Sequence, residues 1–313
     1  MTETAKVVLV TGASAGIGLA CADRLHRAGW TVVGASRRGT TVSDRTPATA
    51  AGHAPGTATS DRTPATGDGH APGTATSDST PTSAAGHWSG LVMDVDDDDS
   101  VRDGIGAVIA AHGRIDAVVA AAGWGVAGPV ELTAIDEAKA QLETNFWGCV
   151  RVVQAVLPTM RARRGGRIVL ISSIGGVLGI PFQAFYSASK FALEGYGEAL
   201  GYEVTPFGIE VTLIQPGNVR TDFTANRKMA AAAAGDSIYA AALGKAVGLM
   251  ERDEINGAPA GDVAAAVQRV LAAERPPRRV SVGKAGERFG ILAKRILPFR
   301  VFEAVAKSSL GVS

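Results

Sequence analysis

Only two cysteines, Cys21 and Cys149, occur in the 313 residues, and no Cys/His cluster has metal-ligand spacing. Reduced, buried thiols are therefore expected. Charge of one sign is also scarce: 31 basic residues stand against 30 acidic ones, a net of +1. Such a balance gives no cationic footprint able to neutralise many phosphates, which sets nucleic acid aside as a partner. No run of 18 apolar residues is long enough to span a bilayer, and Met1 to Lys6 lacks the basic-then-apolar pattern of a signal peptide. The expected location is the cytoplasm.

What the sequence has in quantity is apolar surface. At 46% hydrophobic it can bury a sizeable core, in one large α/β domain or two small ones. Val7-Val8-Leu9-Val10 reads as a buried strand, followed at once by a glycine-punctuated turn and a helical stretch from Ile17 to Ala28. Further strand-like runs lie at Thr31-Val32-Val33, Leu91-Val92-Met93, Ala117-Val118-Val119, Arg167 to Ile171 and Glu210 to Ile214. Strands that are apolar throughout and alternate with helices predict an α/β fold with a doubly wound parallel sheet covered on both faces.

One tract interrupts that rhythm. Ser43 to Thr59 and Ser60 to Thr76 are near copies, 17 residues each, and a decayed third copy begins at Ser77. Rich in Pro, Gly, Thr, Ala and Ser, the tract cannot offset the entropy of ordering its backbone, so residues 40–88 are expected to form a disordered low-complexity insertion. It stands where a crossover helix would normally run, which puts that helix in question. His53, His70 and His87 recur at the repeat spacing, and duplication accounts for them without a metal. Asp96 to Asp99 lack the alternating spacing and glycine of a calcium loop and read instead as negative charge at a helix start. No metal is expected.

The first strand leads into Thr11-Gly12-Ala13-Ser14-Ala15-Gly16-Ile17-Gly18, which opens the first helix, the context in which a glycine motif predicts a dinucleotide. Gly12 would permit the tight turn, Gly16 the approach of backbone to pyrophosphate, and Gly18 the close packing of helix on sheet. About 20 residues on, a binder of unphosphorylated ribose carries a carboxylate. Here the second strand ends in Ser36-Arg37-Arg38, so NADP(H) is expected ahead of NAD(H), which stays possible.

A second constellation carries chemistry. Tyr186 and Lys190 are four apart on an expected helix and so share a face. The ammonium, together with an oxidised nicotinamide, is expected to depress the phenol toward working pH and make it a general acid or base for a carbonyl or alcohol. Ser173 follows a strand at the carboxyl edge of the sheet and can donate to the substrate oxygen. The block from Ser173-Ile174-Gly175-Gly176 through Tyr186-Ser187-Ala188-Ser189-Lys190-Phe191-Ala192-Leu193-Glu194-Gly195 closely resembles the short-chain dehydrogenase/reductase family, in its hydroxysteroid and retinol dehydrogenase branch. The resemblance runs from Lys6 to about Val282 and implies one Rossmann-type domain over 1–283 that moves a hydride between a nicotinamide and a carbonyl or alcohol. It places catalytic roles on Ser173, Tyr186, Lys190 and Asn145, the last through its backbone. It implies adenine contact at Asp94, further cofactor contacts at Ser14, Ile17, Ala121, Gly123 and Val219, and a carboxamide-holding turn at Pro216, Gly217 and Thr221. Where the family usually has Asn-Asn-Ala-Gly, this chain has Ala120-Ala121-Ala122-Gly123, at an expected cost of roughly 1 kcal/mol per lost hydrogen bond.

The substrate region is less explicit. Trp124, Val126, Leu178, Ile180, Phe182 and Phe185 are candidates for an apolar pocket that takes a lipophilic ketone or alcohol, or else for core or dimer contacts. Asp222 to Ala260 is alanine-rich and is the stretch that forms the substrate lid in similar enzymes. From Lys284 to Ser313 a basic amphipathic tail, broken by Pro298, is expected to dock on the protein itself rather than on a membrane surface. A homo-oligomer paired through the helices bearing Asn145 and Tyr186 is implied by the resemblance. The rival readings are a nucleotide-sensing or scaffold protein on the same fold and an epimerase or dehydratase. The first has little reason to keep both Tyr186 and Lys190, and the second needs another acid/base pair.

Overall fold

The structure, a computed structural model, describes residues 5–39, 87–233, 235 and 237–310. Residues 40–86 of the insertion, with His53 and His70, lie outside the described residues, whereas its last two, His87 and Trp88, stand at the start of the third strand, so the expected insertion ends too late. Seven parallel strands form one sheet: β1 (Val7–Thr11), β2 (Thr31–Ser36), β3 (Trp88–Val92), β4 (Ala117–Ala120), β5 (Gly166–Ile171), β6 (Ile209–Pro216) and β7 (Arg279–Val282), in the order β3-β2-β1-β4-β5-β6-β7. Helices cover both faces: α1 (Gly16–Arg27), α2 (Asp98–His112), α3 (Ile135–Leu142), α4 (Gly148–Ala162), α5 (Ala184–Val204), α6 (Ala240–Ile255), α7 (Ala260–Ala272), α8 (Ala285–Ile296) and α9 (Phe299–Leu310).

The alternation of side chains along each strand divides the core. Val7 and Leu9 of β1 face α2, α4 and α5, where they meet Ile105, Val152 and Leu193. Val8 and Val10 face the other way, onto Cys21 and Leu25 of α1 and Val263 and Val267 of α7. Burying each such side chain contributes roughly 1.5–3 kcal/mol, which is why the strands show no polar face. Both cysteines lie in these layers, and burial pushes each thiol up to about 12. The acidic run begins α2: Asp97 caps it by accepting the amide of Ser100 at 2.6 Å, and Asp98 and Asp99 sit in its first turn.

Two strands depart from the sequence reading. The third begins at Trp88 rather than Leu91, because the buried indole packs edge-on against His26 of α1 while Val92 lies out at the sheet edge. The seventh, Arg279-Val280-Ser281-Val282, is too short and too polar to stand out, and pairing with β6 makes it a strand. Among the described residues no helix is long and apolar enough to cross a membrane. With every strand parallel, all carboxyl ends gather at one edge, and the order reverses between β1 and β4. That reversal opens the crevice in which such sheets bind ligands.

Candidate active site

A cleft of about 540 Å³ occupies this edge. Its floor is the turn after β1. Gly12 has φ +65° and Gly16 φ +56°, conformations that disfavour any side chain. A Cβ on Gly12 would press on the Ala122 backbone at 2.9 Å, and one on Gly18 would collide with the Gly12 carbonyl. Removing these side chains brings α1 down onto β1 and leaves its first amides facing the cleft. Ser14, Ile17, Ala121, Gly123, Val219 and Thr221 line the same space. The backbone N–H groups of Ala121 and Ala122 donate to Thr11 Oγ1 at 3.1 and 3.2 Å.

At the far end stand Ser36, Arg37, Arg38 and Asp94. Ser36 Oγ is buried and has no hydrogen-bond partner among the described residues, and the two arginines are exposed beside it. An orphaned hydroxyl, a pair of guanidiniums and a glycine turn at a helix start fit the ribose and phosphate groups of a dinucleotide.

In the middle of the cleft Tyr186 comes from α5 and Ser173, whose hydroxyl stands near the phenol, from just past the end of β5. Ser173 is held by the Gly175 amide at 3.0 Å. One turn beyond Tyr186, Lys190 is buried, with Nζ donating to the Ile171 carbonyl at 2.9 Å and lying 5.9 Å from the Tyr186 ring centroid. Pro216 and Gly217 close this part of the cleft. The electrostatics depart from the expectation of a depressed phenol. Burial, the dominant cause, pushes Tyr186 up, only partly opposed by the neighbouring Ser173 hydroxyl, and lowers Lys190 to about 8. Desolvation disfavours both charged forms at once, so each group shifts toward neutrality.

Asn145 stands behind the cleft rather than in its lining. It lies in a π-helical turn, Glu143–Trp147, between α3 and α4. Its side chain is committed to structure: Oδ1 accepts the Trp124 amide at 3.0 Å, and Nδ2 donates to the Trp124 carbonyl at 3.0 Å and to Ser189 Oγ at 3.1 Å. It thus ties the loop after β4 to the helix bearing Tyr186.

The six apolar candidates separate into two groups. Trp124, Leu178 and Ile180 line the cleft, whereas Val126, Phe182 and Phe185 pack into a satellite cluster with Leu243 of α6. The alanine-rich stretch supplies that helix, whose Ala246, Leu249 and Met250 line the cleft. The tail docks too. Glu287 accepts from the Asn218 side chain at 2.8 Å, and Lys294 donates to the Val177 carbonyl.

Four functional-looking residues escaped the sequence reading. Phe223 packs edge-on against Tyr186 at 5.6 Å between centroids. Gln183, directly before α5, is buried in the cleft lining with Nε2 unpartnered among the described residues; a lone amide in the apolar run from Ile180 to Phe185 was the available signal. Arg227 and Glu254 form a buried ion pair that Thr224 completes, and their charges reach Tyr186 with opposite signs. Nothing local could have joined residues so far apart in sequence.

Comparison with known proteins places this architecture. The profile of the short chain dehydrogenase family matches residues 6–55 and 66–232. The 3-ketodihydrosphingosine reductase of Bacteroides thetaiotaomicron is 36% identical over 307 residues, covering 96% of this chain and 98% of that protein. Human 17-beta-hydroxysteroid dehydrogenase type 1 is 45% identical over a shorter stretch of 112 residues, 36% of this chain and 34% of that protein. A short-chain dehydrogenase of Streptomyces avermitilis superposes with a TM-score of 0.73 at 30% identity, over 98% of each chain. The chain therefore belongs to the short-chain dehydrogenase/reductase family, NAD(P)-dependent oxidoreductases built on a Rossmann-type sheet.

Proposed function

We propose that the protein carries out reversible hydride transfer between NADP(H) and a lipophilic ketone or its alcohol, with Tyr186 as the proton carrier. The observation that carries the reading is the Tyr186–Ser173 hydroxyl pair, set between the glycine turn and an apolar half of the cleft. When bound, the nicotinamide supplies the hydride for the carbonyl carbon. Tyr186 gives its O–H proton to the carbonyl oxygen, and Ser173 donates a hydrogen bond as charge develops there. Lys190, one turn along, offers an ammonium to the phenolate that results. A phenol raised by burial is fully protonated at neutral pH, as a proton donor must be.

Ser36, Arg37 and Arg38 favour the 2′-phosphorylated cofactor, since guanidiniums pair with a phosphate that a carboxylate would repel. The full-length likeness to a 3-ketodihydrosphingosine reductase supports a long-chain ketone, and Leu178, Ile180, Leu249 and Met250 supply an apolar wall for it. The unpartnered amide of Gln183 then serves a polar substituent close to the reacting carbonyl. Exposed Trp147 and Tyr202, flanking α4 and on α5, are the surface through which two copies would pair.

The test is NADPH oxidation with a panel of long-chain and cyclic ketones, comparing wild type with Tyr186→Phe. The variant should lose about 10²–10⁴-fold in kcat, and equal rates would defeat the mechanism. Because Lys190 is protonated below about 8 and neutral above, wild-type kcat for reduction should decline as pH rises through that value. A rate flat from pH 6 to about 10 would remove Lys190 from the chemistry.

A further inference from the structure

The outward side of the tail is unlike the rest of the surface. Phe289, Leu292 and Ile296 of α8 recur at helical spacing and are 66%, 49% and 70% exposed, and Phe299 and Val305 of α9 extend the stripe at 72% and 58%. The protein's own body does not cover them, because α8 is docked through its other side. Ala293 is buried there, Lys294 reaches the Val177 carbonyl and lies over the Phe191 ring, and Glu287 holds Asn218.

Charge indicates what does cover the stripe. Residues 284–313 hold six basic side chains against two acidic, a net of +4 in a chain whose total is only +1. Lys284, Arg288, Arg295, Arg300 and Lys307 are all exposed around the apolar stripe. Of the two acids, Glu287 is turned to Asn218, and Glu303 pairs with Lys307. Pairing two tails symmetrically would set these cations against their own copies, which disfavours a second chain as the cover. An apolar stripe rimmed by cations matches a layer that is apolar within and anionic at its surface. We propose that α8 and α9 seat the enzyme on an anionic lipid surface, peripherally and reversibly.

The position has a consequence for the cleft. Lys294 and Gly290 of α8 meet Val177 and Leu178, and Leu178, Gly179 and Ile180 line the cleft wall. A protein lying on its tail therefore holds the apolar half of its cleft beside the lipid, where a lipophilic ketone concentrates; this step alone rests on the proposed function.

The test is flotation of the full chain with phosphatidylcholine vesicles, with and without about 30 mol% phosphatidylglycerol, for wild type and a Phe289→Glu/Ile296→Glu/Phe299→Glu variant. Wild type should float with anionic vesicles roughly tenfold more than with neutral ones, and release as ionic strength rises. The variant should stay unbound while keeping its melting temperature and NADPH affinity, readouts independent of any ketone. Wild type left behind by both vesicles overturns the proposal, as does a variant that floats like wild type. So does a wild-type dimer that the substitutions dissociate without any vesicle binding, since a second copy would then cover the stripe.

Discussion

The two halves of the cleft are built in different ways. The cofactor half is made of backbone and of residues close in sequence: three glycines within seven positions, and Ser36-Arg37-Arg38 on the next strand end. The substrate half is assembled by side chains from distant segments: Trp124 after β4, Leu178 and Gln183 before α5, Phe223 beyond β6 and Met250 in α6. A backbone site tolerates no added atoms, whereas a side-chain site can be retuned one group at a time. The comparison can be broken at either end.

The largest effect is expected from Gly18→Ala. A Cβ there meets the Gly12 carbonyl and main-chain atoms of Thr11, none of which can rotate away, so α1 must lift off the turn. About 1–3 kcal/mol of stability should be lost, read as a lower melting temperature, with NADPH Kd raised at least tenfold. An unchanged Kd would mean that this close approach is not needed for the cofactor. Next comes Arg37→Asp, which removes a cation at the cleft end and adds a carboxylate. It should lower kcat/KM with NADPH by about ten- to a hundredfold while sparing NADH, since a charged hydrogen bond contributes roughly 1.5–3 kcal/mol. Parallel losses with both cofactors would remove the 2′-phosphate from the account.

The smallest effect belongs to the substrate half. Gln183→Leu removes a buried amide whose Nε2 has no partner among the described residues, so the folded protein should hold its stability or gain about 1 kcal/mol. KM should rise about fivefold for ketones bearing a hydroxyl or amino group near the carbonyl and stay fixed for plain alkyl ketones. An equal change for both kinds would reduce Gln183 to a packing residue.

How much of this was readable in advance follows the same division. The glycine turn, the Ser173-Tyr186-Lys190 group and five of the strands are announced by short patterns, because strand, turn and helix signals act within a few residues. Trp88 and β7 were misjudged or missed because their strand character comes from neighbours, an indole packed on α1 in one case and pairing with β6 in the other. Burial's share in the Tyr186 shift is hidden from the sequence for a related reason. Spacing shows that an ammonium is near, but not how much water both groups lose.

The sequence by itself determined the parallel α/β class, the glycine turn and the residues to which we assign the proton chemistry, since each depends on local periodicity or on spacing along one element. Only the tertiary structure decided that Val126, Phe182 and Phe185 pack with Leu243 of α6 rather than line the cleft. It also decided that Arg227 meets Glu254, and that the tail docks by one side while presenting Phe289 and Ile296 outward. Those outcomes depend on desolvation and on contacts between segments far apart in the chain, quantities that exist only once the sheet has gathered them at one edge.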